Sequence, residues 1–278
     1  MFNYFFGSDE RSINYLKFLH NKNKDITVVT TTPVEAGRGK KLKPNDIELF
    51  SIKNNINFKY FNQNDTYEDM VNALCVSFKS IFTENFLNNN KDIYNLHLSL
   101  LPKYKGPSPV ETQILNRETK TGYTIFKINK YVDTGPVMYS KELNLLETHY
   151  ASEIYKLIFE DFISSYDEII NSSNPLENQN DINETFTKKF EKKDLCVNND
   201  TIEVALKKIR AFDLIGPAYY VHNNKVFKIH KYTLETHGLE FKLLDGYIYP
   251  TELTPEGKNR MLVVDYVRGI RWKFQQAY

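Results

Sequence analysis

The sequence predicts an α/β chain, with a doubly wound, mostly parallel sheet over residues 1–172 and a small β domain over residues 201–278. Three observations carry this. Short β-branched or aromatic runs alternate with amphipathic stretches as far as Ile170, as strands joined by crossover helices do. The polar run that begins near Asn171 and contains Pro175 discourages helix, so residues 173–200 read as a linker. From Ala218 onward, apolar-aromatic runs are separated by Asn-Asn, Asp-Gly and Pro-Glu-Gly turns, the pattern of a small β domain.

In order, Asn3–Phe6 reads as a buried strand, Gly7-Ser8 as a turn and Glu10–Leu19 as an amphipathic helix. The β-branched run Ile26–Thr31 is a second strand. Ile47–Asn54 reads as helix, Phe58–Phe61 as strand and Tyr67–Val71 as helix. Ala73–Phe78 and Ile93–His97 follow as strands, with a short helix beginning near Ser80 between them. Tyr123–Asn129 and Val137–Leu143 are later strands, and His149–Ile170 is a long helix with an apolar face. Residues 201–212 form a helix that leads into the β domain. The first strand–helix turn holds one glycine and no GxGxxG, so a dinucleotide is not indicated.

A chain of 278 residues, 41% hydrophobic and 14% aromatic, can bury a substantial core. Its net charge of +1 makes no case for a generic polyanion binder, although residues 200–278 carry +3. Cys75 and Cys196 stand far apart in no CxxC or Cys/His pattern, which predicts two ordinary thiols in a reducing compartment and no metal site. No 18-residue apolar run is present, so no membrane span is expected. The opening MFNYFFG reads as strand rather than signal peptide. A cytoplasmic location is therefore expected, or an organellar matrix if a presequence had been removed.

Residues 95–136 are the most informative stretch. Asn95, His97 and Ser99 alternate, so an extended strand points all three to one face. Pro102 and Gly106-Pro107 then end the strand and begin a loop. Asp133 arrives from a second segment ahead of Gly135. Taken singly, a histidine at a strand end is a packing residue and an aspartate before glycine caps its own turn. Together, an amide, an imidazole and a carboxylate can run acyl chemistry: the amide donates to an oxyanion, the imidazole moves a proton, and the carboxylate orients or accepts. His20, His149, His222, His230 and His237 have no such context.

Four pieces of this stretch keep a shared order and spacing: Asn95-Leu96-His97-Leu98-Ser99-Leu100-Leu101-Pro102, the basic-Gly loop Lys103–Gly106, Thr121-Gly122-Tyr123-Thr124 and Asp133-Thr134-Gly135. In them the chain closely resembles the N10-formyltetrahydrofolate-dependent formyltransferases. The resemblance implies a Rossmann-like catalytic domain, N10-formyltetrahydrofolate as co-substrate and no metal. It implies Asn95, His97 and Asp133 as the catalytic set. Val76–Ile81 resembles that family's folate-pocket loop, which implies Phe78, Lys79 and Ile81, with Leu101 and Pro102, as cofactor-binding residues.

Pro33–Lys43, PVEAGRGKKLK, is a second signal. Alone it is a flexible basic loop, and its spacing is not that of a P-loop. Its wording resembles the loop that the methionyl-tRNA branch of the family inserts into the acceptor arm, which implies Arg38, Lys40 and Lys41 as tRNA contacts. Lys207–Phe212, Lys225–His230 and Leu253–Met261 resemble the same branch's C-terminal barrel, here a shortened OB-like domain. Lys188 and Lys189, with Lys192 and Lys193, then read as a phosphate-tracking patch. The implied partner is initiator methionyl-tRNA, and the alternative acceptor is a nucleotide-linked amino sugar. Two departures stand out: Lys79 where the family usually has glycine, and a C-terminal region with little between KVFKIHKYTLE and GLEFKLLDGYIY.

Overall fold

The computed structural model describes residues 1–36, 40–172 and 174–275. They form two compact units, one from residues 1–109, 120–144 and 155–187, the other from residues 110–119, 145–154 and 188 onward. In chain order the elements are β1 (Tyr4–Phe6), α1 (Glu10–Lys22), β2 (Thr27–Thr30), β3 (Val34–Ala36), β4 (Lys41–Lys43), α2 (Asp46–Lys53), β5 (Phe58–Tyr60), β6 (Ala73–Cys75), α3 (Glu84–Asn89), β7 (Ile93–His97), α4 (Pro109–Leu115), β8 (Lys120–Lys127), β9 (Val137–Asn144) and α5 (Ala151–Asn171). After them come α6 (Ile202–Ala211), β10 (Tyr219–His222), β11 (Lys225–Thr233), β12 (Phe241–Lys242), β13 (Tyr247–Pro255), β14 (Met261–Leu262) and α7 (Val263–Gln275).

The first unit is built on a seven-stranded sheet of order β5-β2-β1-β6-β7-β8-β9. Strands β5 through β7 run parallel, and β8 and β9 are antiparallel to their neighbours. This is the mostly parallel, Rossmann-like sheet that the alternation predicts. Tyr-Phe-Phe of β1 and Ala-Leu-Cys of β6 are buried at every position, as parallel strands covered on both faces require. Asp9 starts α1 by accepting a hydrogen bond from the Arg11 N–H, and Tyr15, Leu16 and Leu19 lie on its buried face. An aromatic cluster fills the space beside β1 and β6: Phe6 meets Phe61, Tyr67, Phe78, Phe82 and Phe86 edge-on, while Phe78, Phe82 and Phe86 stack in series.

Three local readings change. Residues 67–71 form a turn rather than a helix. Asn90 takes the Tyr67 N–H at 2.8 Å, and the Tyr67 ring packs on Tyr4, Phe6 and Phe86. The helix expected near Ser80 begins only at Glu84, where the Thr83 hydroxyl caps the Phe86 N–H. The basic stretch 33–43 contains an antiparallel hairpin, with β3 paired to β4.

In the second unit β10, β11, β13 and β12 pair in that order, with β14 also on β13, as an antiparallel sheet. Asn223 and Asn224, both at positive φ, make the two-residue turn between β10 and β11. Ala205 and Ile209 of α6 pack with Phe227, Ile229, Phe241, Ile248 and Leu253 in one core. Among the described residues no helix is long and apolar enough to cross a membrane.

Candidate active site

β7 ends at His97, and the two-residue period of the strand puts Asn95 and His97 on one face. The alternation stops there. Ser99 lies beyond the strand, fully buried, where its hydroxyl donates to the Lys103 carbonyl and its carbonyl accepts from Thr124 Oγ1, both at 2.7 Å. Ser99 therefore pins the turn after the strand instead of facing the site.

His97 is 6% exposed, and its Nε2 sits 2.8 Å from the Tyr104 carbonyl oxygen. A carbonyl oxygen only accepts, so Nε2 carries the hydrogen and, in the neutral ring, Nδ1 holds the lone pair. Nδ1 lies 3.6 Å from Asp133 Oδ2. The same carboxylate oxygen accepts the Gly106 N–H at 2.7 Å. Asp133 arrives because the β8–β9 connection folds back, with the Ile128 N–H bonded to the Ile93 carbonyl at 2.8 Å. Nδ1 and the carboxylate oxygen thus face one another across a gap that a shared proton would bridge. Ser77, Tyr104 and Asp133 all take positive φ, a concentration of unusual backbone around one site.

Two cavities meet at this point. The first, about 360 Å³, is mainly apolar, with Phe78, Ile81, Phe82, Phe126, Ile128 and Val132 among its walls. The second, about 300 Å³, is polar and holds Arg11, Lys79, His97 and Tyr155. Phe78, Asn95, Gly106, Pro107 and Asp133 border both. The Asn95 side chain makes no hydrogen bond among the described residues, so its amide is free to address either space. Cys75 borders the apolar cavity, but burial pushes its thiol far above the usual range and the Asp133 charge pushes it further, so it is no nucleophile.

The remaining expected residues fall in different places. Phe78 and Ile81 line the apolar cavity, and Lys79 lines the polar one. Lys79 does not need glycine's freedom, because Ser77 takes the positive φ of this loop. The Ser8 hydroxyl accepts the Lys79 N–H at 2.8 Å, and the Lys79 ammonium lies 3.6 Å from Asp9. Leu101 and Pro102 border neither cavity. The Leu101 N–H bonds Thr124 Oγ1 and the Pro102 carbonyl accepts from Thr185. Lys40 and Lys41 are exposed at the end of the β3–β4 hairpin, while Arg38 lies outside the described residues. Lys188 and Lys189 are exposed in the second unit, with Lys188 paired to Asp194 at 3.1 Å.

Sequence reasoning missed the wall formed by Arg11 and Tyr155. Arg11 makes a bidentate pair with Asp9 and reaches the Tyr155 hydroxyl at 3.3 Å. The available signal was position: Gly7-Ser8-Asp9 follows the C-terminal end of a central parallel strand, where α/β sheets place their ligands.

Residues 7–162, more than half of the chain, match the formyl transferase family. The chain belongs to that family. It is 29% identical to the methionyl-tRNA formyltransferase of Clostridium acetobutylicum, over 95% of both chains. It is also 29% identical to that of Thermosipho africanus, over 81% of this chain and 77% of the relative. An N-formyltransferase from Helicobacter canadensis, solved with folinic acid and dTDP-3-aminofucose, superposes with a TM-score of 0.63 at 20% identity, covering 90% of this chain and 99% of the other. The methionyl-tRNA formyltransferase of Clostridium thermocellum gives 0.59 at 19% identity, covering 84% and 94%. These two likenesses establish the fold. The chain is thus a formyltransferase-family enzyme, and the junction of the two cavities is its candidate site.

Proposed function

We propose that this formyltransferase moves the formyl group of N10-formyltetrahydrofolate to the amine of methionine esterified to initiator tRNA. One observation carries the chemistry: an apolar and a polar cavity share a border that includes Asn95 and Asp133, with His97 on the polar side. Phe78 and Phe82 offer a stacked aromatic wall for a flat heterocycle such as the pteridine. Asn95 holds the formyl oxygen and donates more strongly as it becomes an oxyanion. The neutral amine attacks the formyl carbon from the polar cavity. It forms the new N–C bond, and the bond to N10 breaks. The proton the amine loses is received in the His97–Asp133 gap and passed to N10. No covalent bond to the enzyme is needed.

The likeness to methionyl-tRNA formyltransferases over nearly the full length of both chains supports the acceptor. Arg38, Lys40 and Lys41 in the basic segment are assigned to the tRNA end, and Lys188 and Lys189 to its backbone. A second reading, a nucleotide-linked amino sugar, is favoured by Arg11 and Lys79 lining the polar cavity, where a diphosphate would find two cations. The test is formyl transfer from N10-formyltetrahydrofolate to charged initiator methionyl-tRNA and charged elongator methionyl-tRNA. Rapid, initiator-selective transfer is expected. No transfer, with the folate bound, would refute the tRNA reading in favour of the sugar amine.

A further inference from the structure

Gln179 lies in the polar stretch that composition reads as linker, yet it belongs to the catalytic unit. Its Nε2 donates to two carbonyl oxygens at once, that of Asp133 at 3.0 Å and that of Gly135 at 2.8 Å. Its Oε1 is buried and has no partner among the described residues. Turned over, the amide would set its oxygen against both carbonyls, so the donating orientation is forced. Leaving a buried acceptor unpaired is costly, so the amide is held where it is by what it does for the turn.

That turn is also held locally, by the Lys127 N–H on the Pro136 carbonyl at 2.9 Å and by Asn129 Oδ1, which accepts from the Tyr131 N–H and the Thr134 hydroxyl, but none of these bonds reaches the Asp133 or Gly135 carbonyl. Asp133 sits at φ +52°, and Gly135 lies so close to the Lys127 carbonyl that any Cβ would overlap it. The Asp133 side chain is anchored at Gly106, and Gly106 is held from the same polar stretch. The Lys105 N–H donates to the Thr185 carbonyl at 2.8 Å, and the Thr187 N–H donates to the Lys105 carbonyl at 2.7 Å. The Lys105 ammonium, fully buried, pairs with Glu184 at 2.8 Å. Residues 179–187 therefore grip both partners of the Asp133–Gly106 contact.

We propose that residues 179–187 form a positioning strap for the active site, with Gln179 setting the backbone of Asp133 and Glu184 to Thr187 setting Gly106. The inference rests on the reading above that Asp133 helps receive the amine proton. Displacing a reacting group by about 1 Å costs on the order of 100-fold in rate. Gln179→Met removes the donor at nearly constant shape, and Gln179→Glu replaces it with an acceptor.

The test measures kcat and KM for formyl transfer, the thermal midpoint, and exchange of the Gly106 amide by NMR. In both variants kcat should fall roughly 10- to 100-fold while both KM values and the folded fraction hold. Gly106 exchange should rise at least about tenfold without a matching loss of global stability. Unchanged Gly106 exchange overturns the strap whether or not the unaltered protein formylates methionyl-tRNA. A kcat within twofold of the unaltered enzyme, on whichever amine that enzyme accepts, overturns it as well. Failure of the unaltered protein on methionyl-tRNA counts against the proposed acceptor alone.

Discussion

Replacing Asp133 with asparagine removes a charge and leaves the shape almost intact. Its Oδ1 can still accept the Gly106 N–H that now meets the carboxylate at 2.7 Å. The oxygen that keeps the Gly106 N–H is then also the atom facing His97 Nδ1, because one carboxylate oxygen makes both contacts, and Nδ2 takes the place of the other oxygen. The variant therefore keeps the contact to Gly106 and loses the negative charge beside His97. It should fold about as well, yet a neutral amide oxygen receives the amine's proton far less readily than a carboxylate does.

The electrostatic part follows from the 3.6 Å separation. Two unit charges at that distance attract by about 5 kcal/mol at an effective dielectric constant near 20. Asp133 is 14% exposed on its side chain and His97 6%, so solvent screens part of this. If about 2–3 kcal/mol of that attraction acts on positive charge developing beside Asp133 in the transition state, its loss costs roughly 30- to 150-fold in rate. Loss of the proton acceptor overlaps with that effect and extends the expected fall in kcat to roughly 10²–10⁴. Single-turnover transfer of labelled formyl, with donor and acceptor both saturating, measures it. Asp133→Asn should be within about tenfold of Asp133→Ala, although alanine is the larger change in shape, because both remove the charge. A kcat within tenfold of the parent, or asparagine outpacing alanine by more than tenfold, would refute the proton-gap geometry.

Other perturbations follow from the same geometry. Gly135→Ala places a Cβ against the Lys127 carbonyl and should cost at least about 2 kcal/mol of stability, read as a lower urea midpoint; a midpoint equal to the parent's contradicts the close approach. The native protein should react with a thiol reagent at Cys196 and only negligibly at Cys75, because burial raises the Cys75 thiol; peptide mapping after brief labelling at pH 8 decides it. Burial, then the charge of Arg260, holds His230 below the ordinary imidazole value of 6.5, so the unfolded chain takes up the proton first as pH falls. Stability should therefore drop as pH falls from above 6.5 through the lowered folded value, and His230→Gln should flatten that part of the curve; an unchanged slope between pH 7 and 5 counts against it. Arg38→Ala with Lys41→Ala should weaken charged tRNA as a substrate and reduce its salt dependence, and identical salt slopes would remove the basic segment from the interface.

The parallel half of the sheet was legible because buried strands leave a local mark, β-branched and aromatic runs spaced by helix patterns. Asn95 and His97 were legible for a related reason: the strand period of two sets them on one face. Asp133 was legible only through the resemblance, since nothing local says that the β8–β9 connection folds back to His97. Residues 67–71 were misread because an apolar spacing that suits a helix also suits one tyrosine packed into an aromatic cluster, with its N–H taken by Asn90. Gln179 and the Lys105–Glu184 pair left no local trace, lying 44 or more residues from their partners in the chain.

The stretch that composition reads as linker also carries structural bonds, for a physical reason. A polar run reads as solvated linker because charged and amide side chains normally keep to water. The backbone around this site, however, sits in conformations that no sheet ladder can hold: Tyr104 and Asp133 are both at positive φ. Their neighbouring carbonyls and N–H groups still need partners once water is excluded. Near neighbours supply some of them, and polar groups brought from elsewhere in the chain, Gln179, Thr185 and Thr187, supply others. A polar stretch that follows a catalytic sheet is therefore as well suited to bracing irregular active-site loops as to separating domains, and composition alone cannot distinguish the two.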